Sequence, residues 1–149
     1  YPPNNKLLRC KLIYDESGVL SVDYFIYKKR EINSFKLIYD DEITYSKKYL
    51  NRDSLDKNFE KKENAHEIII VKNGFITDTS IANIAIYLNN IWITPKKPLL
   101  LGTTRARYLK EGKIIEKDIS VDDLQKASKI ALMNAMIDFD ILEDYSLFL

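Results

Sequence analysis

Histidine and cysteine are almost absent from this chain: each occurs once among 149 residues, as His66 and Cys10. A lone cysteine excludes an internal disulfide framework, and with a single histidine beside it no zinc site of paired cysteines and histidines can be built. A metal site would have to rest on carboxylates, and no Asp-rich loop of the calcium-binding type occurs, so no metal is expected. Any Ser-His or Cys-His catalytic arrangement would have to recruit His66, which turns attention away from histidine-based nucleophilic chemistry. Long apolar runs are missing too. Stretches such as Ile68 to Val71 and Leu99 to Leu101 fall far short of the roughly 20 residues of a membrane-spanning helix. No charged start followed by an apolar stretch suggests a signal peptide, so a cytoplasmic location away from membranes is the default expectation. Charge of one sign is lacking as well: the formal net charge is +1, with acids and bases interleaved. Without a basic stripe to follow a phosphate backbone, nucleic acid is not an expected partner. Repeats and low-complexity segments are absent.

What is present suits one globular unit or two closely packed ones with a real core, since 46% of the residues are hydrophobic and 30% charged. The opening Tyr1-Pro2-Pro3 reads as a connection out of something earlier, and a preceding region is expected. Leu7 to Tyr14 and Val19 to Tyr27 flank Asp15-Glu16-Ser17-Gly18 and predict an antiparallel hairpin. The charged Lys28 to Glu31 leads into a short strand over Phe35 to Tyr39. Leu55 and Phe59 have the i, i+4 spacing of an amphipathic helix over Asp53 to Lys62, with Asp53 or Ser54 as N-cap. Glu67 to Lys72, the turn Asn73-Gly74 and Phe75 to Thr77 predict a second hairpin; Ile81 to Leu88 and Ile91 to Thr94 around Asn89-Asn90 predict a third. After the loop Pro95 to Pro98, Gly102-Thr103-Thr104 opens a short helix through Leu109, and Lys113 to Lys117 is a strand. Ser120 with Asp123 three residues on gives a capping box for a helix through Ala127. Ile130 to Met133 and Phe139 to Leu142 complete the strands. Strands dominate and short helices link crossovers, so the fold class is α+β, or mixed α/β. The ten tyrosines read as sheet-packing residues, and His66 and Cys10 as structural, Cys10 as a small core residue.

Three polar elements stand out, each with an ordinary explanation beside a functional one. Lys48 precedes a helix, but most lysines are simply solvated. Asp78-Thr79-Ser80 follows a hairpin and is most simply a turn whose side chains bind nearby amides. Gly102-Thr103-Thr104 is a helix start, and the amides exposed there are also a natural anion site.

Taken in this order, the elements resemble the class IV aminotransferases, also called fold-type IV pyridoxal phosphate enzymes. The group includes branched-chain and D-amino-acid aminotransferases and 4-amino-4-deoxychorismate lyase. The resemblance runs from about Lys48 to Leu142. Lys48-Tyr49-Leu50-Asn51-Arg52 looks like the lysine segment of the lyase branch. The hairpin Asn73-Gly74-Phe75-Ile76-Thr77 is similar to the family segment ending in an acid, then small hydroxyl residues and an Asn, here Asp78, Thr79, Ser80 and Asn83. The usual acid is Glu, so Asp78 is shorter by one methylene. Leu100-Leu101-Gly102-Thr103-Thr104-Arg105 looks like the family's Gly-Ile-Thr-Arg phosphate loop. Asp122-Asp123-Leu124 and Ala131 to Ala135 resemble the closing helix and strand of the large domain.

The resemblance implies a pyridoxal 5'-phosphate enzyme of D-amino-acid aminotransferase-like fold. Lys48 would carry the cofactor imine and move the substrate's α-proton. Asp78 would pair with the pyridine nitrogen and keep it protonated. Thr79, Ser80, Gly102, Thr103 and Thr104 would complete the cofactor site, the last three around the phosphate. Arg9 and Arg105 are candidates for a substrate carboxylate; for Arg9 a solvent-facing strand position is the alternative. By the same resemblance, residues 1–29 are the last hairpin of a small N-terminal domain, otherwise absent together with its phosphate-site arginine, and residues 30–149 are the large cofactor-binding domain. The expected partners are a small-molecule amino acid or an aminodeoxychorismate-like substrate, and a second copy in a homodimer. The reaction expected is the lyase one, pyruvate elimination. Transamination of a branched-chain or D-amino acid is the alternative, and a non-catalytic dimerisation or binding module is a third.

Overall fold

The computed structural model describes residues 5–149, so the Tyr1-Pro2-Pro3 opening lies outside the described residues. The chain forms two compact units, Tyr1–Arg30 and Glu31–Leu149. In the first, β1 (Leu8–Asp15) and β2 (Gly18–Ile26) pair antiparallel from Leu8↔Ile26 to Asp15↔Gly18. The Asp15 carboxylate closes the turn by accepting from the Ser17 amide at 2.7 Å. Cys10, expected in a core, is exposed on β1: a two-stranded ribbon has no interior of its own to bury it.

The second unit is built on one mixed sheet. Its strands are β3 (Ser34–Tyr39), β4 (Glu67–Lys72), β5 (Phe75–Thr79), β6 (Asn83–Leu88), β7 (Ile91–Pro95), β8 (Ile115–Lys117), β9 (Lys129–Asn134), β10 (Asp138–Leu142) and β11 (Ser146–Phe148). The main path runs β10-β9-β6-β5-β4-β3-β11, with β7 on β6 and β8 on β7. Helix α1 (Asp53–Phe59), continued by a 3-10 turn at Glu60–Lys62, makes the crossover that lets β4 lie parallel to β3. Helix α2 (Thr103–Lys110) does the same between the parallel β7 and β8, and α3 (Val121–Lys126) leads into β9.

Alternate residues divide the core between the two faces, as the period of a strand requires. Phe35, Leu37, Ile69, Val71, Ile84, Ile86, Ile130 and Leu132 form one cluster with Leu124 of α3. Ile38, Ile68 and Ile70 meet Leu55 and Phe59 of α1, with Leu99 and Leu100 packed alongside. Ala85, Ala131 and Met133 meet Tyr108 of α2. The unbroken run Ile68-Ile69-Ile70-Val71 belongs to β4, which has neighbours on both edges and cover on both faces. Asn73 at φ 51° and Gly74 at φ 83° give the β4–β5 hairpin its primed turn. The sheet-packing expectation holds for only part of the described tyrosines: Tyr45 and Tyr108 are buried and Tyr87 and Tyr145 set their rings against Trp92 and Phe35, whereas Tyr14, Tyr39 and Tyr49 are half or more exposed.

Boundaries differ in places. Neither Asp53 nor Ser54 caps α1: the N-cap is Arg52, with no side-chain cap, and the Asn51 side chain accepts from the Asp53 amide at 2.9 Å. β5 runs on to Thr79 and β6 starts only at Asn83, so Asp78 and Thr79 lie in a strand and the turn is Ser80 to Ala82. The capping box of α3 is present: Ser120 Oγ accepts from the Asp123 amide at 3.1 Å, and Asp123 accepts from the Ser120 amide at 3.0 Å. The Ser120 amide and the Ser120 hydroxyl, which donates to the same carboxylate at 2.8 Å, hold the Asp123 carboxyl below its ordinary value. No helix among the described residues is long and apolar enough to cross a membrane. Ser120→Ala should cost about 1 kcal/mol of stability by removing the cap, read as a lower urea midpoint at unchanged slope.

Candidate active site

The seam of the sheet is a single residue pair. β5 pairs with β6 only at Asp78↔Asn83; beyond it the edge of β6 is taken by β7, from Ile86↔Ile93 to Leu88↔Ile91. The two side chains at the seam bond to each other, Asn83 Nδ2 donating to Asp78 Oδ1 at 2.8 Å. The loop ahead of α2 closes over them: the amides of Leu99 and Leu100 donate to Asp78 Oδ2 at 2.8 and 3.0 Å. Asn83 Nδ2 also donates to the Leu100 carbonyl at 2.7 Å. Gly102 approaches so closely that a Cβ there would collide with Asn83 Oδ1, which explains a glycine ahead of a helix whose N-cap gains nothing from it.

The turn that carries Asp78 to Asn83 is held at every peptide. Thr79 Oγ1 donates to the Ala82 carbonyl and accepts from the Ala82 amide, both at 3.0 Å, and the Thr79 amide donates to the same carbonyl. Its hydroxyl is thereby spent inside the turn, so Thr79 serves the site by shaping it. The Ser80 amide donates to Glu67 Oε1 at 3.1 Å, the Ser80 carbonyl accepts from Arg52 Nη2 at 2.7 Å, and Asn134 Nδ2 donates to the Ile81 carbonyl at 3.2 Å. Glu67 is fully buried at the head of β4.

Asp78, 4% exposed, is pushed up to about 7 from the usual carboxylate range. Burial is the dominant cause; the Asn83 amide, the Leu100 and Leu99 amides and the charge of Arg105 act against it. An ionised carboxylate offers about four acceptor positions, of which three are filled here, leaving one.

Helix α2 begins directly after this loop. Its N-cap Gly102 has no side chain to satisfy the first-turn amides, so those of Thr103 and Thr104 stay available as donors, with the positive end of the helix dipole behind them. Thr103 is exposed and Thr104 is buried. Arg105 is engaged elsewhere: Nη2 donates to the Pro95 carbonyl at 2.9 Å and to Glu116 Oε1 at 2.6 Å, tying α2 to β7 and β8. Its Nε is buried without a hydrogen-bond partner among the described residues. Lys48 lies in the exposed segment between β3 and α1. Two residues hold the stretch around Lys48 itself: Tyr45, whose hydroxyl donates to the Tyr49 carbonyl at 3.2 Å, and Arg52 at the Ser80 carbonyl. Arg9 belongs to the first unit, exposed on β1 with its guanidinium 5.0 Å from the Phe25 ring centre.

Sequence reasoning thus named Asp78, Thr79, Ser80 and the α2 start, which the fold gathers at one seam. It missed Glu67, the Leu99 and Leu100 amides, and the part played by Arg52. A visible signal existed for Glu67: one acid heading the apolar run Ile68 to Val71.

Known proteins resemble this chain in sequence and in fold. The sequence model of the amino-transferase class IV family matches residues 46–139. An uncharacterized Haemophilus influenzae protein is 38% identical over 135 residues, 91% of this chain and 71% of that protein. A Haemophilus somnus protein, provisionally named a 4-amino-4-deoxychorismate lyase, has a crystal structure that superposes with a TM-score of 0.81. Its sequence identity is 40%, and the match covers 87% of this chain and 66% of that one. A Schizosaccharomyces pombe protein provisionally named aminodeoxychorismate lyase is 32% identical over 89 residues, 56% of this chain and 38% of that protein. The chain therefore spans about two thirds of the length of the two Haemophilus proteins and less of the yeast one. A mixed sheet with few helices is the α+β architecture of the fold-type IV aminotransferase-like proteins. The chain belongs to the class IV aminotransferase family, whose cofactor is pyridoxal 5'-phosphate.

The burial of Asp78 has a sign in solution. Its carboxyl titrates at 3.8 in its ordinary state and at about 7 in the fold, so between those values the folded chain holds the extra proton. Its contribution is therefore fully present below the ordinary value and is lost as pH rises through about 7. In urea melts of the cofactor-free chain, wild type should lose stability relative to Asp78→Asn between pH 5 and pH 8, by an amount on the order of a few kcal/mol.

Proposed function

We propose that this chain holds pyridoxal 5'-phosphate between Lys48, Asp78 and the first turn of α2, and that it splits 4-amino-4-deoxychorismate into pyruvate and 4-aminobenzoate. The observation that carries the cofactor reading is Asp78. Burial without a cation in contact makes its charge costly, and its fourth acceptor position is open. A protonated pyridine nitrogen is the partner that fills that position and supplies the missing positive charge. The shorter side chain at this position is compensated by rigidity, since Asn83 and two backbone amides fix both carboxylate oxygens.

The other residues fit the remaining parts of the cofactor. The uncapped amides of Thr103 and Thr104, with the threonine hydroxyls, are donors suited to a phosphate dianion at a helix start. The exposed Lys48 offers a primary amine within reach of an aldehyde from solution, and would hold the cofactor covalently through Nζ. When bound, the cofactor supplies a conjugated ring that takes up the electron pair released at the substrate. Lys48 Nζ would move the proton on the substrate carbon that bears the amine. Asp78 would hold the ring nitrogen protonated as its ionised partner. Ser80 serves through its backbone, and Arg105 by locking α2 to the sheet.

The lyase reading is supported by the 40% identical Haemophilus somnus protein and by the lysine segment Lys48 to Arg52. Transamination is the second reading, favoured by the family match itself. In the same reading the hairpin unit is the end of a small N-terminal domain, consistent with the greater length of the relatives, and the working form is a cytoplasmic homodimer.

Borohydride reduction of the purified chain with pyridoxal phosphate, followed by peptide mapping, should place the cofactor on Lys48 and lose it in Lys48→Ala. Failure to label Lys48 in folded protein would defeat the cofactor reading. Release of pyruvate and 4-aminobenzoate from aminodeoxychorismate then supports the lyase, whereas amino transfer to a 2-oxo acid without pyruvate release supports transamination.

A further inference from the structure

Lys48 stands on a stretch with little to hold it. Residues 46–51 are all exposed and belong to no helix or strand. A lysine that must meet a fixed carboxylate and a fixed helix start needs its backbone held, because loose chain on either side spreads the amine over many positions. The structure provides two handles. Tyr45, 7% exposed and packed in the core, bonds the Tyr49 carbonyl and sets its ring edge-on to the Tyr49 ring with centroids 6.2 Å apart. Arg52 is the second, and it alone of the two reaches the turn that carries Asp78.

The Arg52 guanidinium joins three elements. Nη2 donates to the Ser80 carbonyl at 2.7 Å, and Nε lies 3.7 Å from Asp56 in the first turn of α1. The Arg52 carbonyl accepts from the Asp56 amide at 2.9 Å and so opens that helix. Ser80 is itself gripped from its amide side by the buried Glu67. The two main-chain polar groups of one residue in the β5–β6 turn are thus held from opposite sides, by a carboxyl group from the sheet and a guanidinium from the Lys48 segment. A planar fork can serve Ser80 and Asp56 together, whereas an ammonium is a single point of attachment.

We propose that Arg52 is a positioning residue that registers the Lys48 segment against the Asp78 turn and so sets where the Lys48 amine stands. Its consequence for binding rests on the cofactor reading above; the tether itself does not. Arg52 touches neither the cofactor nor the reacting atoms in this account, and acts through the main chain of Ser80.

The test compares the full chain with Arg52→Met and Arg52→Lys. It reads amide hydrogen exchange without cofactor, and the pyridoxal phosphate concentration giving half-maximal borohydride fixation on Lys48. Arg52→Met should melt near wild type, exchange faster across residues 44–52, and require about tenfold more pyridoxal phosphate, as expected for loss of one charge-assisted hydrogen bond. Arg52→Lys, keeping a cationic donor, should recover part of both effects, which a mere packing role would not produce. Should Arg52→Met fail to fold, Arg52→Gln, which loses the charge but keeps a donor, takes its place. Unchanged exchange across 44–52 overturns the proposal, as does equal fixation on Lys48 in wild type and variant. If wild type fixes no pyridoxal phosphate on Lys48, the cofactor reading fails; faster exchange in the variant then still supports the tether, and unchanged exchange sinks it.

Discussion

The contact between Asp78 and Asn83 is where this molecule is most constrained. A buried carboxylate can be kept only if donors surround it, and here the donors come from two places, the facing strand and the loop ahead of α2, with the charge of Arg105 helping without contact. Each fixes something else in turn. Asn83 fixes the only pairing between β5 and β6, and hence the join between the two halves of the sheet. The Leu99 and Leu100 amides fix the loop, and the loop fixes where α2 starts. The glycine at 102 is what allows that loop so close to Asn83.

The carboxylate site and the helix start are therefore not two features that happen to be near one another. The residue that carries the buried charge also sets the position of the amides of the first turn of α2. A protein built in this way holds its buried carboxylate and its helix-start amides in fixed relation before any ligand arrives, which is the preorganisation that makes polar groups effective in a dry site. The lysine is the exception, since its segment is secured by Tyr45 and Arg52 alone among the bonds described above.

Local patterns in the sequence foretold local structure. Asn73-Gly74 marked its hairpin because few residues accept positive φ, and Ser120 with Asp123 marked a helix start because the capping box lies within four residues. The ordered motifs from Lys48 to Arg105 located the candidate site through family resemblance, where each residue by itself had an ordinary explanation. Interactions between distant segments left no such trace. Nothing in the neighbourhood of Ser80 announces that Glu67 and Arg52 will take its amide and carbonyl, and Leu99 and Leu100 look like core residues whose amides are of no interest. β11 escaped notice because three residues cannot display a period, and Cys10 was misjudged because composition says nothing of which strands find a covering layer.

β11 also bears on how the molecule comes to be made. It lies parallel to β3, from Ser146↔Ser34 to Phe148↔Lys36, and the Lys36 ammonium reaches the Leu149 carbonyl from 113 residues away in sequence. During synthesis β3 emerges early and can acquire β4 on one side soon afterwards, but its other edge stays open until β11 has been added. An unpaired strand edge is a template for foreign chains, and Phe35 and Leu37 of β3 are apolar. In the interval between the making of these two strands, the nascent chain thus presents this edge of β3 to a neighbour on the same message.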